Sequence, residues 1–404
     1  MIPSQKAKKS AKSKLPQLQP SWQLDTPMSE YITCMEWLPN TCVHGQDSIL
    51  VLGLANGEVV LVNSTNRKVL HREINAHQDG LLSMLIVELE NERNFVICAS
   101  QDGSLSLWKV QKKGDETFQS LELIKLDQHE IDGGQWIESM VWMQTSKKLA
   151  VASSNQVHTF SISKENKLIL KRTNNTFKST VSCLAYNQKT NSLAISSYGN
   201  ILLTDSSLYA KLNISIKGSF QMSSFSEDGK YCICGMLESM AIILNTESQQ
   251  IVPLSLPKKP SIIKWLYGSS QTCAISSNSS VVVLKSVPLV EMSMSEMDDE
   301  EEMDDEVREI LSDNEFGFMH PGSVSSMEFV PSQFRKPWIV SACSKGLVRV
   351  TDYESGRIVA FLPMGDEKGV SCMKFESDFN KCTIPLLIVG YSDGSLCEIP
   401  LNFK

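Results

Sequence analysis

A six-residue pattern, apolar-x-x-(Met, Leu or Trp)-x-(aromatic or Ile), recurs eight times along the 404 residues of this chain and restricts what it can fold into. The copies start at Ile32, Leu81, Ile137, Val181, Phe220, Ile262, Val324 and Val370. The fifth, Phe220-Gln-Met-Ser223-Ser-Phe225, is the weakest, with serine at the middle position. Short apolar runs of this kind read as buried strands, and their recurrence reads as a repeat protein.

Successive copies are 49, 56, 44, 39, 42, 62 and 46 residues apart, near the period of four-stranded β-propeller blades joined by loops of unequal length. Each copy leads into a second apolar strand, a short turn and a third strand. In the first unit these are Ile49 to Leu54, Asn56-Gly57 and Val59 to Val62; in the last they are Leu386 to Gly390, Asp393-Gly394 and Leu396 to Leu401. Asn-Gly and Asp-Gly supply the positive φ that tight hairpins require. The second strands are rich in small residues, as in Ala150-Val-Ala-Ser-Ser154 and Val340-Ser-Ala-Cys343, which suits strands crowded near a propeller axis.

The second unit, Phe95-Val-Ile-Cys-Ala-Ser-Gln-Asp-Gly-Ser-Leu-Ser-Leu-Trp108, resembles the WD40-repeat family, and the resemblance spans residues 22 to 404. In that family a His before the first strand, a Ser in the second, an Asp in the next turn and a Trp in the third form a buried hydrogen-bonded network. His77, Ser100, Asp102 and Trp108 match all four. No other unit carries the set: near the Trp position stand Phe160, Thr204, Leu244, Leu284, Val350 and Ile399, so the remaining blades are expected to hold by apolar packing.

The expected fold is therefore an all-β, WD40-type propeller of eight four-stranded blades, with seven, the commoner number in the family, as the alternative. The last unit ends too soon to supply a fourth strand. Ser21-Trp22-Gln23-Leu24-Asp25 is expected to pair there as the outer strand and close the ring, leaving no unpaired junction. Residues 21–404 then form one domain, preceded by a disordered basic arm, 1–20.

Eleven cysteines, an odd number, lie mostly in apolar strands and read as reduced and buried. Cys232-Ile-Cys234 has no partner pair at metal-site spacing, and no metal or cofactor is expected. With no leader-like apolar stretch and no run of about 18 apolar residues, the expectation is a monomeric propeller in the cytoplasm or nucleus, not secreted and not inserted in a membrane.

The charge is concentrated in two segments. The arm carries Lys6, Lys8, Lys9, Lys12 and Lys14 and no acid. It reads either as a solubilising tail or as a nuclear-import or nucleic-acid contact. Residues 291–315 hold thirteen acids against one base, Arg308, for a net −12. The dense run is Glu296, Asp298, Asp299, Glu300, Glu301, Glu302, Asp304, Asp305 and Glu306. With +5 on the arm and −8 for the chain, the body is left with −1. The acidic segment is expected as a disordered loop inserted before an outer strand at Phe316 to Met319. It is either a solvated insertion or a clamp for a basic partner.

The six histidines are scattered, and there is no Gly-x-Ser-x-Gly elbow, phosphate-binding glycine loop or His-Glu-x-x-His pair. The chain is therefore expected to be no enzyme. The resemblance implies a scaffold for protein–protein contacts in a larger complex. The acidic segment points to a basic partner of ribosomal-protein or histone type; the alternative is a nucleic-acid-associated propeller using the arm.

Overall fold

In the computed structural model, which describes residues 15–39, 48–89, 93–113, 120–131, 135–288, 315–364, 368–376 and 383–403, the repeated pattern forms the innermost strand of each unit. These strands are Ile32–Trp37, Leu81–Leu89, Ile137–Met143, Val181–Asn187, the second half of Ala210–Phe225, Pro260–Trp265, Val324–Phe329 and Val370–Phe375. Each packs against the next, and the eighth packs against the first. The result is an all-β propeller.

A strand alternates its faces, so the first and fourth positions of the pattern would ordinarily point in opposite directions. They are nevertheless buried together in seven units; Ser223 is the half-buried exception. The reason is a β-bulge at the second position of every copy, where the register slips between Ile32 and Cys34, Leu81 and Ser83, Ile137 and Ser139, and at the same place in the other five. The bulge adds one residue, which turns the first, fourth and sixth side chains to one face. At the bulge Thr33, Ser182 and Ser371 donate their hydroxyls to Gly53, Ser196 and Gly390 carbonyls of the second strand at 3.0 to 3.1 Å.

The small residues of the second strands have an equally local cause. Opposite the third pattern position stand Gly53, Ala99, Ala152, Ser196, Gly235, Ser276, Ala342 and Gly390. A Cβ on Gly53 would lie 2.9 Å from Leu81 Cδ1, and one on Gly235 2.7 Å from Pro260 Cγ. At Gly53, Gly235 and Gly390 the first residue of the following unit, Leu81, Pro260 or Ile32, fills the space that the glycine leaves. The third position also links units: Leu184 N–H donates to Ser139 Oγ at 3.1 Å and Met373 N–H to Ser326 Oγ at 3.2 Å.

Two sequence readings shift. The sixth copy starts at Pro260 rather than Ile262, because its bulge lies between those two residues. Trp265 and Tyr267 are both aromatic, so the sixth position fits at either offset, whereas the fourth residue of the true register is Ile263 rather than Met, Leu or Trp. In the seventh unit the residue in register with Trp108 is Thr351, not Val350: Trp108 faces Val96 and Ile86, as Thr351 faces Ile339 and Phe329.

Hydrogen bonding divides the described strands into seven sheets, six of four strands and one of six. The six-stranded sheet holds the fourth and fifth copies, joined through the long strands Ser192–Thr204 and Ala210–Phe225. Ser192–Thr204 cannot be one straight strand. Thr204 Oγ1 lies 3.5 Å from Leu193 O, whereas eleven extended residues would span roughly 36 Å. The chain reverses at Tyr198-Gly199, with Gly199 at φ +71°. In the last sheet Trp22 and Gln23 pair antiparallel with Glu398 and Cys397, outside Leu396–Pro400, Leu386–Tyr391 and Val370–Phe375.

Candidate functional site

Unit two brings His77, Asp102 and Trp108 together around two serines that the sequence reading did not single out. Trp108 Nε1 donates to Ser106 Oγ at 2.6 Å, and Ser106 Oγ is 2.6 Å from His77 Nε2. His77 Nδ1 is 2.9 Å from Ser104 Oγ, which donates to Asp102 Oδ1 at 2.6 Å. An indole N–H can only donate and a carboxylate can only accept. With a neutral imidazole the order runs from Trp108 to Ser106, Ser106 to His77 Nε2, His77 Nδ1–H to Ser104 and Ser104 to Asp102 Oδ1, with Asp102 Oδ2 3.4 Å from His77 Nδ1. Burial does hold His77 below the usual histidine range, against the pull of Asp102. Hydrogen bonds from the Ser104 hydroxyl and the Gln78 and Ser104 amides keep Asp102 below the usual carboxylate range despite its burial.

Ser100 stands one step away from this chain. Its hydroxyl donates to Asp79 O at 2.9 Å and accepts from Asp102 N–H at 3.2 Å, so it braces the turn without a hydrogen bond to His77. Lys125 Nζ donates to Ala76 O at 2.9 Å and lies 5.3 Å from the Trp108 ring centroid. All these groups serve turns and strands of one unit, and the two hydroxyls on the imidazole, Ser104 and Ser106, are buried, as befits a structural lock.

A reduced version occurs in unit seven. His320 precedes its innermost strand by four residues, as His77 does, and its Nε2 is 2.8 Å from Ser341 Oγ. Burial, and then the Arg349 guanidinium, push His320 down to about 4.

The acidic run Glu296 to Glu306 and the lysines Lys6 to Lys14 lie outside the described residues, but their points of attachment do not. Trp265 pairs with Cys273, Cys273 with Leu284 and Leu284 with Glu315, a single row across one end of unit six. The acidic segment is inserted between the last two. The basic arm was read as 1–20, yet residues 15–20 lie against the ring: Leu18 is buried, and its N–H donates to Phe361 O at 2.8 Å.

The nine described cysteines are free thiols, and burial pushes Cys34 up to about 11 and Cys372 up to about 12. Among the described residues no group of three or more His, Cys, Asp or Glu is placed to hold a metal ion. No helix among them is long and apolar enough to cross a membrane.

No protein-family model matches the chain, and no curated protein matches it in sequence. Solved structures match its shape. Sqt1 of Saccharomyces cerevisiae is 12% identical, with a TM-score of 0.72 over 96% of this chain and 100% of that one. Sqt1 of Chaetomium thermophilum, bound to the N-terminus of the ribosomal protein L10, is 12% identical, with a TM-score of 0.71 over 95% and 100%. The computationally designed protein Ika8 is 14% identical, with a TM-score of 0.65 over 95% and 100%. At such identities the likeness is one of fold.

Proposed function

We propose that the chain is a non-catalytic, intracellular scaffold of divergent WD40 type that holds a lysine- and arginine-rich segment of a partner protein within a larger complex. The observation that carries this reading is the net −12 placed in 291–315 on a body of net charge −1. Charge so concentrated speeds encounter with a basic segment and releases counterions on contact. The L10-bound Sqt1 structure, of similar fold, lends support by analogy. We count eight blades in a single ring domain, taking the six-stranded sheet as two blades merged through the reversal at Tyr198-Gly199. Trp22–Gln23 then serves as the outer strand that closes the ring.

The test is titration of a labelled basic peptide against the intact chain and a variant lacking 291–314. The deletion should weaken binding by about tenfold or more, ~1.4 kcal/mol at least, and flatten its salt dependence. Equal affinity for both proteins would overturn the acidic-clamp reading. Binding of single-stranded nucleic acid that disappears on removal of residues 1–14 would favour the arm instead.

A further inference from the structure

At one end of the ring the turn between a unit's second and third strands is tied through its backbone to the chain entering an innermost strand, as Ala55 N–H to Tyr31 O, Leu237 N–H to Ser219 O and Ser344 N–H to Ser323 O. These turns and entries form one face, and its charge is divided. From the entry of unit four to the turn of unit seven they carry Lys178, Lys217, Lys258, Lys259 and Lys345 against Glu238, a net +4. In the other half the described ones carry Asp25, Glu30, Glu58, Asp79, Asp102 and Asp393 against Lys368, a net −5. Strand residues that reach this end keep the division. Arg349 adds to the first half, and in the second Arg72 and Lys125 are offset by Glu73 and Glu130. The five lysines are exposed, and among the described residues none of them is in a salt bridge.

Two cavities lie in the basic half, on either side of Tyr198. One, of about 490 Å³, is largely apolar, lined by Ile216, Lys217, Met236, Met240, Ile251 and Pro253 among others. The other, of about 590 Å³, has Asn174, Thr176, Lys178, Ser179, Asn200 and Asn213 among its walls. Tyr198 lines both and is 58% exposed. The apolar cavity has a local cause. The connections 24–31, 74–80, 175–180, 256–259 and 320–323 each bury a side chain between one unit and the next: Met28, Ala76, Phe177, Leu256 and His320. Between units four and five the strand Ala210–Phe225 runs straight through, so no such plug exists and the space stays open. Gly218 makes the passage at φ +151°, which a residue with a side chain rarely adopts, and a Cβ there would strike Met236 Cε.

We propose that this half-face docks an acidic segment of a partner protein that carries one large apolar side chain. The apolar side chain enters the cavity between units four and five, Tyr198 packs on the segment beside it, and the carboxylates meet Lys178, Lys217, Lys258 and Lys259. A buried anchor gives such a contact its affinity, a rigid tyrosine adds area at small entropic cost, and complementary charge sets approach and orientation. A protein segment fits better than a nucleic-acid strand. The cavity is walled by aliphatic side chains, and a polyanion long enough to cross the face would run onto the half of net −5. The chain's own acidic residues 291–314 are attached at the opposite end of unit six, between Leu284 and Glu315, and are the rival occupant. The face goes beyond the proposed function, which concerns a basic partner: the scaffold then joins partners of opposite charge at its two ends.

The experiment is a fluorescence-anisotropy titration of labelled peptides of aspartate and glutamate with one central leucine or phenylalanine, on the full chain and on the chain lacking 291–314. A peptide with alanine at the centre and labelled oligothymidylate serve as the matches. The expected result is saturable, salt-sensitive binding of similar affinity to both proteins. Affinity should be about tenfold weaker, ~1.4 kcal/mol, for the alanine peptide, in Tyr198→Ala and in Lys217→Glu. Both side chains are exposed enough for these changes to leave the fold intact, which an unchanged melting temperature would verify. No saturable binding of either peptide, or full affinity in either variant, would overturn the proposal. Binding only after the deletion would make the chain's own acidic segment the occupant and overturn it as well. So would tighter binding of oligothymidylate that the same substitutions weaken. The proposed function fails separately: basic-peptide affinity unaffected by the deletion, with normal acidic-peptide binding, would remove the acidic clamp and keep this face.

Discussion

Units two and seven solve one problem with different residues. Each places a histidine four residues before its innermost strand, and each caps the carbonyl before that histidine with a cation: Lys125 on Ala76, Arg349 on Met319. By strand register Ser341 stands where unit two has Cys98, Arg349 where it has Ser106, and Thr351 where it has Trp108. The donor and acceptor are exchanged accordingly: Trp108 donates to Ser106, whereas Arg349 Nε donates to Thr351 Oγ1 at 3.2 Å. In unit two both ring nitrogens of His77 are engaged, while His320 Nδ1 is buried without a hydrogen-bond partner among the described residues. A lock of this kind tolerates replacement of its bulkiest member if a long cation covers the same corner, here by lying 4.3 Å from the Phe318 ring centroid.

The comparison breaks most sharply at Trp108. Changing it to Ala removes a side chain 1% exposed and the N–H that orders Ser106. The cost should be about 3 to 5 kcal/mol, read as a lower midpoint in urea. An unchanged midpoint would mean that unit two, like its neighbours, is held by aliphatic packing alone.

A second test uses pH. The folded His320 titrates at about 4 and the unfolded one at 6.5, so between those values the unfolded chain binds the extra proton. Stability is therefore full above pH 6.5 and falls as the pH drops toward 4. The loss from this residue approaches ~3 kcal/mol at the lower end. His77 is shifted the same way and adds to the loss. His320→Leu should flatten the pH dependence of the unfolding free energy over this window; the same slope in the variant would show that His320 does not titrate as its burial requires.

The sequence revealed the fold because the pattern marks the strands that must be buried, and it revealed His77, Asp102 and Trp108 because their types are distinctive. It did not reveal Ser104 and Ser106: in Gly-Ser-Leu-Ser-Leu they look like the polar half of any alternating strand, and only register places them on the imidazole. The bulge was hidden for a related reason, since an inserted residue is invisible until the partner strand is known. This is also why the sixth copy was set two residues late and Thr351 was missed by one. The apolar cavity could not be read at all: Tyr198, Ile216, Met236 and Ile251 come from two units and meet only when the ring forms.

The finest discrimination between the two corners comes from their serines. Ser106 accepts from Trp108 and donates to His77, so Ser106→Ala leaves an indole N–H and an imidazole nitrogen unpaired in a fully buried site, at ~2 kcal/mol. Ser341 makes one hydrogen bond to a ring whose other nitrogen is already unpartnered, so Ser341→Ala should cost only ~1 kcal/mol. Side by side in urea, the unit-two variant should have the lower midpoint at an unchanged slope. Equal losses would mean that the hydrogen-bonded chain in unit two contributes nothing beyond its separate pairs, and that the fuller lock has no energetic advantage over the reduced one.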